Sequence, residues 1–199
     1  MNDTIDLSSL NSDPDLLRFA LNGSCVDGPS FEIWRRARSF IATEIHRPGT
    51  VLDIGCANGF LLRCLQEWSD HALTPFGIDA SAGRARDIAR FFPSQQEHFA
   101  RLPVERLGEI DAHGLPGTYD FIYWAVWDNY GFDRQDRIDL LRRAYESVKD
   151  NGRLILGFYD REPETIENKI ARIQDLNLGH AVRVSNPDGP QELFRISKQ

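Results

Sequence analysis

Two hydrophobic periods alternate along this chain. Short apolar runs bounded by turn residues predict buried strands, and apolar residues three and four apart predict amphipathic helices. From Thr50 onward strand and helix take turns: a strand over 50–54, a helix over about 58–68, a strand from Thr74 to Asp79 and a helix from Ser81 to Phe91. A further apolar run, D-F-I-Y-W-A at 120–125, precedes a helix over about 133–149 that carries Ile138, Leu141, Tyr145 and Val148 on one face. Asn151-Gly152 reads as the end of that helix. The strand Arg153 to Tyr159 follows, then a helix with Ile166, Ile170, Ile173 and Leu176. Strands at 180–185 and 192–197 flank Asn186-Pro187-Asp188-Gly189 and predict an antiparallel hairpin. Between 93 and 118 the pattern supports two positions for a third strand, Glu97 to Ala100 or Leu107 to Ile110. Upstream, Ser30 is placed to cap a helix whose Phe31, Trp34, Ala37, Ile41 and Ile45 recur at helical spacing. Residues 1–29 are acidic and turn-rich, and their one apolar island (Leu16, Leu17, Phe19, Ala20, Leu21) predicts an arm or short helix outside the core. Such alternation with short connections implies a three-layer, doubly wound α/β fold: a mostly parallel sheet with an antiparallel hairpin at one edge.

Composition narrows the class. With 199 residues, 41% of them hydrophobic, the chain suits one domain, since domains average about 100–200 residues. No apolar run approaches the ~18 residues of a membrane span, so no membrane association is expected. The start, M-N-D-T-I-D-L, lacks the basic residues and apolar run of a secretory signal, which points to the cytoplasm. Cys25, Cys56 and Cys64 are odd in number and lack metal-ligand spacing, so neither a disulfide framework nor a metal site is expected. A net charge of −7 argues against a broad nucleic-acid surface. The bunched Arg84, Arg86, Arg90, Arg101 and Arg106 read first as a solvated face and second as a surface for an anionic partner.

The most informative segment is V-L-D-I-G-C-A-N-G-F, Val51 to Phe60. A strand that ends in glycines and turns at once into a helix lets backbone N–H groups approach a ligand, the binding corner of an open α/β sheet. The dinucleotide fingerprint GxGxxG would need a second glycine where Ala57 stands, and GxxxxGK[ST] is absent. The spacing Gly55-x-x-x-Gly59 therefore suits a ligand without a phosphate at this point, such as an amino-acid moiety on a nucleoside. Asp79 ends the second strand about twenty residues beyond, where a carboxylate can accept from both hydroxyls of a ribose. Taken alone, Asp79 reads first as a helix cap; paired with the glycine loop it reads as the ribose acid.

Together these segments resemble the class I S-adenosylmethionine-dependent methyltransferases. V-L-D-I-G-C-A-N-G-F resembles the family's first motif and G-I-D-A-S its acidic second motif. Y-D-F-I-Y-W resembles the fourth-strand motif, and L-R-R-A-Y-E-S-V-K-D-N-G-R-L-I-L-G the helix, turn and fifth strand. The resemblance spans Arg47 to Tyr159, and the terminal hairpin is similar to the family's sixth and seventh strands. It implies a Rossmann-like seven-stranded fold over 47–199, with residues 1–46 as an arm and helix capping the site, and S-adenosyl-L-methionine as cofactor. By resemblance, Asp53, Gly55, Cys56, Ala57, Asn58 and Gly59 surround the methionine part, Asp79 takes the ribose and Ala80 lies against the adenine. Trp124 and Ala125 would lie beside the methyl group. Asp111 in D-A-H-G-L-P resembles the acid that binds the adenine amine, though later in the chain than usual. If the earlier third strand is the real one, the region of Arg101 and Leu102 takes that place without a carboxylate. The resemblance also makes Cys56 a packing residue and not a nucleophile.

The acceptor side falls on W-A-V-W-D-N-Y, where Trp127, Asp128 and Tyr130 are candidate substrate contacts; packing and helix-capping roles compete with that reading. His98 and His113 are the candidate bases, needed only for an acceptor that must lose a proton. The N-P-P-Y and D-P-P-Y signatures of nucleic-acid amino-group methyltransferases are absent, which favours a small-molecule acceptor. A monomer or homodimer is expected. Aminopropyl transfer, RNA methylation and a non-catalytic cofactor- or partner-binding module on the same fold are the competing readings.

Overall fold

A computed structural model describes residues 7–22, 30–127, 130–160 and 162–199, with the side chains of 11 and 84–86 outside the description. Seven strands form one sheet: β1 Gly49–Ile54, β2 Leu73–Asp79, β3 Phe99–Arg101, β4 Tyr119–Val126, β5 Val148–Phe158, β6 His180–Ser185 and β7 Glu192–Ser197. Their order is β3-β2-β1-β4-β5-β7-β6, with the first five parallel and the β6–β7 hairpin running antiparallel to β5. The helices are α1 Pro14–Ala20, α2 Phe31–Arg38, α3 Phe60–Trp68, α4 Arg84–Phe91, α5 Gln135–Glu146 and α6 Pro163–Asp175, joined by 3-10 turns.

Strand alternation decides the layers, because successive side chains point to opposite faces. Leu52, Ile54, Ile122, Trp124, Leu154 and Leu156 face one way, onto Leu141 and Ala144 of α5 and Ile170 and Ile173 of α6. Val51, Phe121, Tyr123 and Ile155 face the other way, onto Trp34 of α2, Leu62 and Leu65 of α3, and Ile88 and Phe91 of α4. β1 lies between β2 and β4, where strand order reverses. Ligands of open α/β sheets bind outside the carboxyl ends of the strands at that reversal.

Most predicted elements stand within a few residues of their expected bounds, and Ser30 caps α2 by accepting from Ile33 N at 3.2 Å. Two expectations need correction, and one open alternative is decided. The third strand is the earlier alternative, only Phe99–Arg101, and Leu107 to Ile110 lies in a 3-10 helix over Val104–His113. Asn151-Gly152 does not cap α5: that helix stops at Glu146, where Ser147 N donates to Arg143 O. Asn151 (φ 60°) instead lies in the irregular start of β5, where the register against β4 shifts. The amino-terminal arm is also part of the core, because Leu7, Leu10 and Ala20 are buried in the cluster with Phe60 and Phe91. No helix among the described residues is long and apolar enough to cross a membrane.

Candidate functional site

The loop between β1 and α3 turns tightly through three left-handed residues, Gly55 (φ 83°), Ala57 (φ 53°) and Gly59 (φ 80°). A left-handed alanine costs on the order of 1 kcal/mol, and such strain persists where surrounding contacts hold it. Here Ala57 N donates to Asp79 Oδ2 at 2.9 Å, while Gly55 N and Cys56 N donate to Ile78 O at 2.8 and 3.0 Å. Asp79 Oδ1 accepts from Ser81 N at 2.8 Å. The two expected motifs are thus joined by three hydrogen bonds. A carboxylate has about four lone-pair sites, so Asp79 retains capacity for further donors. A Cβ at Gly55 would meet no protein atom within 4 Å, so this backbone faces open space that a ligand can enter. Gly77 of β2 is needed for a different reason: a Cβ there would lie 2.6 Å from Cys56 Sγ.

Two hollows flank Gly55 and share Gly55 and Ala125 as lining. One, of about 490 Å³, is bounded by Asp53, the Cys56–Ala57–Asn58 loop, Tyr123, and Ala20, Trp34 and Arg38 from the amino-terminal segments. The other, of about 720 Å³, is bounded by Asp79, Ala80, Leu102, Pro103, Glu105, Trp124, Trp127 and Tyr130.

The first hollow is electrostatically unusual. Asp53 is buried, and burial together with the charge of Asp79 pushes its carboxyl up to about 7, against the opposing pull of Arg38. Arg38 is buried too, its guanidinium carbon 3.8 Å from the centre of the Tyr159 ring, and its Nη1 has no hydrogen-bond partner among the described residues. Tyr159 and Tyr123 share a 2.6 Å hydroxyl–hydroxyl hydrogen bond, and burial drives the Tyr123 phenol well above its ordinary range. Asn58 ties the arm to the loop: its Nδ2 donates to Phe19 O and Ala20 O at 2.9 and 3.1 Å.

Tyr130 on the second hollow donates to Glu105 Oε1 at 2.8 Å, and Arg137 Nη1 donates to the same oxygen at 3.1 Å. Burial acts to raise the Glu105 carboxyl, but hydrogen bonds from its own backbone, Tyr130 and Arg137 prevail and lower it. Behind Trp127, the buried Lys169 Nζ donates to Trp127 O at 2.6 Å and Asp160 Oδ1 at 2.5 Å, joining the extensions of β4 and β5 through α6.

Of the sequence-predicted residues, Asp53, Gly55, Cys56, Ala57, Asn58 and Ala125 line the first hollow, and Gly55, Asp79, Ala80, Trp124 and Ala125 the second. Gly59 caps α3 behind them, packed under Phe92. Trp127 and Tyr130 line the second hollow, and Asp128 lies outside the described residues, as does Cys25. Cys56 and Cys64 are both buried.

Three predicted residues stand elsewhere. Asp111 is exposed, with its carboxylate against Gly117 just before β4, because the 3-10 helix after β3 carries the chain back to the amino ends of the strands. His98, at the amino end of β3, stacks on Phe76 at 4.5 Å and donates to Pro75 O at 3.1 Å. His113 ends the 3-10 helix on the surface. Neither histidine lines a hollow. The carboxylate that does line the second hollow after β3 is Glu105. Sequence reading also missed Arg38, although its spacing of four from Trp34 puts both on the inward stripe of α2. In the arginine-rich stretch, Arg90 stacks on Phe19, Arg101 Nε donates to Ala80 O and Arg106 pairs with Glu109, while the side chains of Arg84 and Arg86 lie outside the description.

Residues 29–187 match a family profile described as a methyltransferase domain. No curated protein matches the chain in sequence. Among solved structures, an O-methyltransferase family protein from Burkholderia thailandensis superposes with a TM-score of 0.61 at 13% identity, covering 97% of this chain and 67% of that one. N-methyltransferase NodS from Bradyrhizobium japonicum gives 0.53 at 20% identity, covering 86% of this chain and 98% of its own. The plantazolicin methyltransferase BpumL, solved with S-adenosylhomocysteine (SAH), gives 0.57 at 15% identity, covering 96% and 93%. At these identities the likeness establishes the fold they share.

Proposed function

This chain belongs to the methyltransferase-domain family, and on that premise we propose that it methylates a small-molecule acceptor, with the two hollows that meet at Gly55 and Ala125 holding the two ends of the donor. The donor is S-adenosyl-L-methionine, which supplies an activated methyl group on a sulfonium. The observation that carries the reading is the placement of an acid on each side of Gly55: buried Asp53 in the first hollow and Asp79, with Glu105 beyond it, in the second. That layout fits a ligand with an ammonium at one end and a ribose diol at the other.

Residue by residue, Asp53 faces the ammonium and the Gly55–Asn58 loop supports the amino-acid chain. Asp79, already fixed by Ala57 N and Ser81 N, accepts from the ribose hydroxyls. Ala80, Leu102 and Pro103 offer apolar surface to the adenine, and Glu105 replaces Asp111 as the carboxylate near its amine. Trp124 and Ala125 border the reacting methyl. The protein's contribution is positioning and exclusion of water, because the donor carries the activation. Residues 1–46 act as a cap, supported by the Asn58 bonds to α1 and by Ala20, Trp34 and Arg38 in the wall of the first hollow. Trp127 and Tyr130 form the acceptor wall, held by Lys169 and Glu105.

A small-molecule acceptor is favoured over RNA by the net charge of −7 and by the local engagement of Arg90, Arg101 and Arg106. Thermal denaturation with SAH tests the donor site, since a ligand of the folded state raises its melting temperature. SAH should raise it and NAD should not; a shift with NAD and none with SAH would sink the assignment. Labelled-methyl transfer from S-adenosylmethionine to fractionated small-molecule extract then tests the acceptor class, and labelling confined to RNA would overturn it.

A further inference from the structure

The donor reading occupies one side of the second hollow and leaves its aromatic side, Trp124, Trp127 and Tyr130, to the acceptor. These rings are held from outside. Trp124 is buried and meets the Tyr130 ring edge-on, with centres 5.5 Å apart. Arg137 covers the Tyr130 ring at 4.4 Å, and Tyr159, 5.9 Å from Trp127, is covered by Arg38 at 3.8 Å. Trp127 is half-buried, and among the described residues no cation lies over its indole. Its main chain is what fixes it: the carbonyl accepts from buried Lys169 Nζ at 2.6 Å, and Lys169 pairs with buried Asp160. A buried ion pair seldom repays its desolvation as stability alone. Here it holds the residue two positions past Ala125, so the indole stands at a set place beside the point of methyl transfer.

Charge narrows what can lie there. Among the described residues no lysine or arginine lines the second hollow, so a phosphate or carboxylate on the acceptor would be desolvated without a counter-ion. A cation would meet Glu105, but Oε1 of that carboxylate already accepts from Tyr130 and Arg137. We propose that the acceptor is a neutral, flat aromatic molecule that stacks on Trp127 with its nucleophilic heteroatom aimed past Ala125. The inference rests on the donor reading above and narrows its acceptor. Stacking on an indole fixes the plane of a ring, whereas an aliphatic chain would keep several orientations, and fixed geometry is what the protein contributes to this reaction. A lone pair of the heteroatom forms the bond to the methyl carbon as the carbon–sulfur bond breaks and leaves its electron pair on sulfur. Any proton on the heteroatom passes to water, and the products are the methylated ring compound and SAH.

Three matched probes test the inference by NMR titration of the SAH-saturated protein: 2-naphthol, which is flat and neutral, decahydro-2-naphthol, which has lost the flat ring, and 2-naphthoate, which adds a negative charge. The wild type should bind 2-naphthol about tenfold tighter than either of the others, and W127A should lose about that factor for 2-naphthol, the value of one ring stacked on an aromatic side chain. W127F should fall between, since it keeps a smaller ring. Titration of SAH into each variant reports that it is folded around an intact donor site. Labelled-methyl transfer into small-molecule extract gives a second readout, in which the labelled product should be aromatic. A 2-naphthol affinity no higher than that of its saturated analogue, or one unchanged in W127A, would overturn the inference. A labelled product that is aliphatic would overturn it too and leave the donor reading standing. Failure of the wild type to bind SAH would overturn the donor reading and this inference with it.

Discussion

Replacing Asp53 by asparagine should stabilise the ligand-free protein at alkaline pH while weakening its hold on the donor. The wild-type carboxyl is moved from 3.8 to about 7, by burial first and the charge of Asp79 second. One pKa unit corresponds to about 1.4 kcal/mol, so an ionised Asp53 costs the folded state about 4 kcal/mol above neutrality. The sign follows from proton counting. Between 3.8 and about 7 the folded chain holds a proton that the unfolded chain has released, so stability falls as pH rises through that window. From about pH 5 to about pH 8 the loss due to Asp53 is about 2–3 kcal/mol, and D53N should escape it. Urea unfolding of both proteins at the two pH values reads the difference, and any pH-independent effect of the amide cancels. A stability gap between D53N and wild type that stays constant with pH would refute the reasoning. Binding supplies the second half: if Asp53 faces an ammonium, wild-type affinity for SAH should rise toward neutral pH, whereas that of D53N should be lower and flat. The acid is destabilising in isolation and useful with a ligand, the usual balance at a functional site.

Further outcomes follow from neighbouring contacts. G77A would drive a methyl group to 2.6 Å from Cys56 Sγ and 2.8 Å from Phe99 Cδ1, so it should cost about 1–3 kcal/mol in a denaturant melt and weaken SAH binding by displacing the loop. N58A removes both bonds from the loop to α1 and should cost about 1–3 kcal/mol, with faster amide exchange localised to residues 14–21. K169M removes the ammonium from buried Asp160 and the Trp127 carbonyl and should cost about 3–5 kcal/mol, part of it restored in K169M/D160N; an unchanged unfolding midpoint for K169M would refute the buried latch.

Sequence alone determined the strand–helix alternation, the glycine corner, and the roles expected of Asp53 and Asp79, because each is a local signal. Periodicity sets which face of a strand or helix is buried, and the Gly55 and Gly59 spacing reflects backbone conformations that a few residues decide. The third strand escaped because it is only three residues long at the sheet edge, too short for a period to declare itself. Asp111 carried the right motif letters, but the path of the following 3-10 helix takes it to the far end of the sheet, while Glu105, with no motif around it, reaches the hollow. Arg38 shows the same limit from the other side. An arginine in an amphipathic helix reads as surface, and only the meeting of α2 with Tyr159 and Asp53 buries it and leaves Nη1 without a hydrogen-bond partner among the described residues. Local pattern determines which elements form and where the chain can turn. Burial of a charge is a sum over distant segments, so which polar groups share the first hollow is decided by the tertiary structure.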